Sequence, residues 1–164
     1  MSETVEKAPE IITKTDQFVL KLFKEKLPNS FLYHNYNHTV RVVKSTKEII
    51  ENSQINVKQE EALLLAAWLH DIGYTEQREG HEKAGAEIAK AFLKEQGEDP
   101  ETIDLVVDLI LSTIMKTEPK SDLERILTTP LQSGVKKILR CLQRSINSIQ
   151  IMLPETGNHR KIKT

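Results

Sequence analysis

Eight consecutive apolar residues, Ala62 to Leu69, run straight into an adjacent His70–Asp71 pair and then Gly73. This stretch, ALLLAAWLHDIGY over residues 62–74, restricts what the chain can become more than any other. Ala and Leu are strong helix formers. A helix that is apolar on every side belongs in a protein interior. The run therefore carries an imidazole and a carboxylate into buried surroundings, which is costly unless they are paired or bind a metal. A His–Asp pair also occurs as a plain helix end followed by a turn, so the pair alone defines no site.

The flanking chain predicts further helices. Phe18, Val19, Leu22 and Phe23 recur at helical spacing over residues 15–27, and Pro28 stops the run. Residues 1–12 read as a polar, frayed N-terminal extension. Residues 28–36 are expected to be a loop. Asn37 is a candidate cap for the next helix, whose stripe His38, Val42, Ser45, Ile49 turns His38 to the core side in the first turn. Asn56 with Gln59 reads as a capping box that opens a central helix over 57–71. Another helix runs from His81 to Gly97. Asp99–Pro100 is an N-cap and first-turn signal for a helix over 100–116, with Ile103, Val106, Val107, Ile110, Leu111 and Ile114 on its apolar face. Ser121 and Glu124 form a second box before a short helix through Leu127. No segment alternates with period two, and no repeat is evident. The fold class is all-α, a compact multi-helix bundle.

Two further segments qualify the His–Asp pair. YHNYNHTVRVV lies upstream at residues 33–43, and GHEKAGAEIA lies downstream at residues 80–89. Together with LLLAAWLHDIGY they resemble the HD-domain superfamily of metal-dependent phosphohydrolases, over about residues 15–128. The resemblance implies an HD-type helical domain, assigned to residues 13–128. It also implies a divalent metal, one of Mn, Fe, Co, Ni, Zn or Mg, held by His38, His70 and Asp71, with Asp71 also the proton acceptor in catalysis. Imidazole and carboxylate donors suit such ions, and a metal would offset the cost of burying Asp71. The implied reaction is hydrolysis of a small phosphate ester, with a nucleotide expected as substrate.

His34, Arg41 and His81 are the candidate substrate-binding residues. The two histidines adjoin motifs and could meet a phosphate or orient the site; they read equally well as a loop and a helix-start histidine. Arg41 follows His38 by three positions and so lies near the same helix face, where its planar fork suits phosphate.

The resemblance breaks in one place. The family follows its last core helix with a segment of the type Ile-Leu-x-Asp, whose Asp is a fourth ligand. Here the segment is Ile126, Leu127, Thr128, Thr129, and no Asp follows Asp122. A neutral hydroxyl in place of a carboxylate weakens a metal site. The expected function is accordingly a metal-dependent phosphohydrolase impaired by loss of this Asp, with a catalytically inactive relative that binds a nucleotide or a protein partner as the alternative.

Composition changes at the same point. Residues 131–164 carry seven Lys and Arg against one acid, giving +6, while the remainder is −7. Residues 129–164 therefore read as a divergent basic tail. Val135, Ile138, Leu139, Leu142, Ile146 and Ile149 fit one helical stripe. A shifted reading frame through Thr128–Gln132 would instead permit Asp-Ala-Ala-Ser, so a frameshift origin is the other reading. Basic residues without interleaved aromatics are a weak nucleic-acid signal, and nucleic acid is not expected as a partner.

The charged fraction of 29% and hydrophobic fraction of 38% describe a globular chain, and 164 residues suffice for one core. No apolar stretch approaches the ~20 residues of a membrane helix, so no membrane partner is expected. MSETVEKAPE lacks the apolar centre of a signal peptide, and a cytoplasmic location is expected. Cys141 stands alone and cannot form an internal disulfide.

Overall fold

Ala62 to Leu69 are all buried, on every face of one helix, and the remaining helices pack around it. The computed structural model describes residues 4–28, 31, 33–114 and 119–131, with side chains from Glu10 onward. Among these residues the order is α1 (Thr4–Lys26), α2 (Tyr36–Ile50), α3 (Val57–Leu69), a 3-10 turn (Ile72–Thr75), α4 (His81–Glu95) and α5 (Pro100–Ser112). Residues 122–131 are also helical. No strand occurs among the described residues, as the sequence pattern predicts. α3 packs on α1, α2 and α5, and α4 packs on α5 and on the 3-10 turn.

α1 departs from expectation. It begins at Thr4 rather than near residue 15, and Ile11 is a core residue at 3% exposure. The supposed N-terminal extension of residues 1–12 is thus largely helical, and the helical domain does not start at residue 13. Ile11, Thr15, Val19 and Phe23 are spaced four apart and all buried, so one stripe continues back through the polar-looking segment. Residues 1–131 form one compact unit. Of the expected tail of residues 129–164, residues 129–131 belong to this unit, and the remainder from residue 132, with its helical stripe and most of its frameshift reading, lies outside the described residues.

Caps set the other boundaries. Asn56 and Gln59 form the predicted reciprocal capping box at the start of α3. Asp99 accepts from the Thr102 amide at 3.1 Å and caps α5. α2 is capped by Asn35 rather than Asn37. Asn35 has the extended backbone an N-cap requires, and its side chain accepts from the His38 amide at 3.1 Å. His38 therefore sits in the third helical position, with its side chain buried.

α3 ends at Leu69 instead of Asp71, α4 ends two residues before Gly97, and α5 ends at Ser112 rather than residue 116. The last helical segment runs beyond Leu127 to residue 131. Among the described residues no helix is long and apolar enough to cross a membrane.

Candidate metal centre

The end of α3 fixes the site. His70 is the C-cap of α3, and Asp71 is the residue from which the chain turns into the 3-10 segment. Both are buried, at 2% and 3% exposure. The first turn of α2 brings His38 to the same place, and the residue before the α2 cap brings His34. Three imidazole nitrogens surround one carboxylate oxygen, Asp71 Oδ2: His34 Nδ1 at 2.9 Å, His70 Nε2 at 3.2 Å and His38 Nε2 at 3.5 Å. The ligand atoms of His34, His38 and Asp71 all lie within 4.8 Å of one another.

The bonding of each ring differs. His34 Nδ1–H donates to Asp71 Oδ2, and its Nε2 faces the Tyr74 hydroxyl at 3.4 Å. Both nitrogens of His34 are therefore engaged. His70 Nδ1–H donates to the Ala67 carbonyl at 2.9 Å, but its buried Nε2 makes no hydrogen bond. A donating Nδ1 leaves Nε2 with a bare lone pair in a neutral ring. Facing a carboxylate oxygen at 3.2 Å, Nε2 needs a positive partner there, either its own proton, which makes an ion pair with Asp71, or a metal ion. A ligating histidine usually donates its other ring N–H to a backbone carbonyl or carboxylate, as His70 does to Ala67.

Charge follows from the same contacts. Burial works against the Asp71 carboxylate, yet the charge of His70 and the hydrogen bond from His34 hold it well below its ordinary range. Burial, reinforced by His70, pushes His38 down to about 4, so its ring is neutral near pH 7. Burial also opposes charging of His70, but the Asp71 carboxylate beside it raises the ring above its usual value.

The surroundings are aromatic. Tyr74 lies between His34 and His81, with ring centroids at 4.3 Å and 3.7 Å. Phe31 lies 5.3 Å from Tyr74, and the Arg78 guanidinium sits 5.5 Å over the Phe31 ring. His81 Nδ1–H donates to the Arg78 carbonyl at 3.2 Å. Arg41 is exposed, but its charge acts on both His38 and Tyr33.

His38 and His70 both lie beside Asp71, but the three residues whose ligand atoms are mutually close are His34, His38 and Asp71, so His34 takes the place the sequence reading gave to His70. His81 stands one ring further out, behind Tyr74. Tyr74 and Arg78 went unremarked in the sequence; the Tyr that closes the HDIGY stretch, one helical turn from Asp71, was the available signal for the first. Thr129, the position of the expected fourth ligand, is exposed, and its hydroxyl donates to the Arg125 carbonyl at 2.7 Å. Asp122 and Glu124 do not supply the missing carboxylate. Asp122 is 91% exposed beside Arg125, and Glu124 accepts from the Lys120 amide. Among the described residues no other cluster of His, Cys, Asp or Glu has ligand spacing.

An all-α domain whose central helix ends in a buried His–Asp pair, ringed by two further histidines, matches one family. The chain belongs to the HD-domain family, whose model matches residues 35–130. Comparison with curated proteins and with solved structures gives no match.

Proposed function

We propose that this chain is a metal-dependent phosphohydrolase acting on a small phosphate ester, with a nucleotide the expected case. The observation that carries the reading is the convergence of His34, His38 and His70 on the buried Asp71 Oδ2, with the ligand atoms of His34, His38 and Asp71 within 4.8 Å of one another. His38, His70 and Asp71 would hold the ion. Two imidazoles and one carboxylate suit Mn, Fe, Co, Ni or Zn better than Mg, which favours oxygen donors. A divalent cation there supplies Lewis acidity toward water and toward a phosphoryl oxygen.

The protein's own residues do the rest. The neutral His38 ring offers its lone pair at physiological pH. The Ala67 carbonyl fixes the orientation of His70, and His34 fixes Asp71. Asp71, kept ionised, can accept a hydrogen bond from an attacking water and orient it. Arg41, exposed but with its charge felt at His38, is the proposed phosphate contact, and His81 bounds the site beyond Tyr74.

A second reading, an inactive relative that binds a nucleotide or a protein partner, is favoured by the absence of a second carboxylate from the cluster among the described residues. Metal analysis of the purified protein, with turnover of p-nitrophenyl phosphate under Mn²⁺, Ni²⁺ or Zn²⁺, tests both. Stoichiometric metal with turnover supports the first reading. Metal without turnover supports the second, and failure to bind any of the three ions defeats the first.

A further inference from the structure

Asp71 is the one carboxylate of the cluster, and its outer contact is His34. His34 in turn has Tyr74 at its other nitrogen. Nδ1–H of His34 donates to Asp71 Oδ2 at 2.9 Å, and the Tyr74 hydroxyl stands 3.4 Å from Nε2. An imidazole that donates through one nitrogen accepts through the other. Tyr74 can fill that acceptor because its phenol is a donor, kept protonated by burial and by the nearby charge of Asp71, which push it up to about 12.

The Tyr74 ring is packed among three other rings. It is packed at 3.7 Å and 19° against His81, and at 4.3 Å against His34, with Phe31 at 5.3 Å on its flank. Its backbone is set by the hydrogen bond that the Tyr74 N–H donates to the Asp71 carbonyl at 3.1 Å. Ring and hydroxyl are thus placed by one turn that begins at Asp71 itself.

We propose that Tyr74 is a positioning residue. Its hydroxyl locks His34 in the Nδ1–H tautomer, and His34 thereby holds Asp71 Oδ2 in its place in the cluster. The consequence for metal rests on the reading above; the tautomer does not. The lock acts without any proton transfer. The opposite tautomer would put two lone pairs, on Nδ1 and on Oδ2, against each other at 2.9 Å, and would turn the Tyr74 hydroxyl from a donor into an acceptor, the weaker of a phenol's two roles. Removing the hydroxyl takes away the Nε2 contact that opposes this alternative.

The test is side-chain ¹⁵N NMR of His34 in the metal-free protein at one fixed pH near 7.5, beside titration of Mn²⁺ into the same samples. The wild-type ring is expected to show a protonated Nδ1 and a bare Nε2. Tyr74→Phe keeps the stacked ring and loses only the hydroxyl. It is expected to give a mixture of His34 tautomers and about tenfold weaker Mn²⁺ binding, the lower end of what loss of an outer-sphere partner costs. A wild-type His34 protonated on Nε2 overturns the proposal without any variant, which keeps it testable should Tyr74→Phe fail to fold. A folded Tyr74→Phe protein with an unchanged His34 tautomer also overturns it. If the wild type binds no Mn²⁺ while the tautomer behaves as described, the metal reading fails and the positioning of His34 by Tyr74 stands.

Discussion

Nε2 of His70 lies 3.2 Å from Oδ2 of Asp71, its neighbour in sequence, close enough to pair with it when the ring is charged. Adjacent residues in a continuing helix point about 100° apart, so their side chains do not face each other. They meet here because α3 stops at Leu69 and the backbone turns at Asp71. The helix end is thus part of the site's geometry. It makes the pair a pincer rather than two residues on diverging faces.

Removing either arm should abolish binding. His70→Ala and Asp71→Ala are each expected to lose the metal carried by the wild type, measured by elemental analysis after purification. A thermal readout adds a second check. Metal at about a hundred times its Kd should stabilise the wild type by ~2.7 kcal/mol, and it should leave both variants unmoved. Metal-dependent stabilisation that persists in both variants would place the site elsewhere.

The core of α3 should carry much of the fold's stability. Leu65 has no exposure, and Trp68 is 7% exposed. Leu65→Ala or Trp68→Ala is expected to cost ~2–5 kcal/mol in chemical denaturation, as truncations in packed cores do. A cost near zero for both would contradict the burial of α3.

What the sequence disclosed was local or periodic. The Asn56–Gln59 box and the Asp99–Pro100 cap depend on residues three apart, and the apolar run to Leu69 speaks for itself. The bundle was therefore legible, as was the convergence of His38, His70 and Asp71 through the motif pattern. Other features depended on long-range contacts. Ile11 is buried by the rest of the bundle, within a segment that looks polar. Asn35 and Asn37 are equally good caps by composition, and only Asn35 has the extended backbone with its side chain on the His38 amide. Tyr74 and His34 meet forty positions apart, and no periodicity records that.

Asp99 gives a pH-dependent check on the α5 cap. Hydrogen bonds from Thr102 and Lys58 hold its carboxyl down at about 2, below the ordinary 3.8. A carboxyl lowered in the folded state adds stability that is full above its unfolded value and fades as pH falls through its folded one. Asp99→Ala should therefore cost about 1 kcal/mol at pH 7, a usual figure for an N-cap. Its charge-dependent part should shrink between about pH 4 and pH 2. The side chain is half exposed, so that part is small. Urea denaturation of both proteins at pH 7 and near pH 2.5 measures it. A difference that grows with acidity would contradict the assigned role.

Gly73 and Gly97 separate two reasons for needing glycine. A Cβ on Gly73 would lie 1.8 Å from the His81 carbonyl oxygen and 2.6 Å from the Gly85 amide nitrogen. Both neighbours are backbone, so nothing flexible can yield, and the 3-10 turn would have to separate from α4. That turn carries Tyr74 and follows directly from Asp71, so the separation would reach the metal centre. Gly97 has φ +78°, with nothing within 4 Å of a built Cβ. Alanine there meets only the left-handed backbone penalty, ~1–2 kcal/mol. Gly73→Ala is accordingly expected to cost about 3 kcal/mol or more, at or above the upper end of ordinary overpacking, and to weaken metal binding. Gly97→Ala should cost less and leave metal binding intact. Denaturation midpoints and Mn²⁺ titrations on the two variants decide between them. Should Gly73→Ala prove as mild as Gly97→Ala, the tight contact between the His–Asp turn and α4 would not be present in solution.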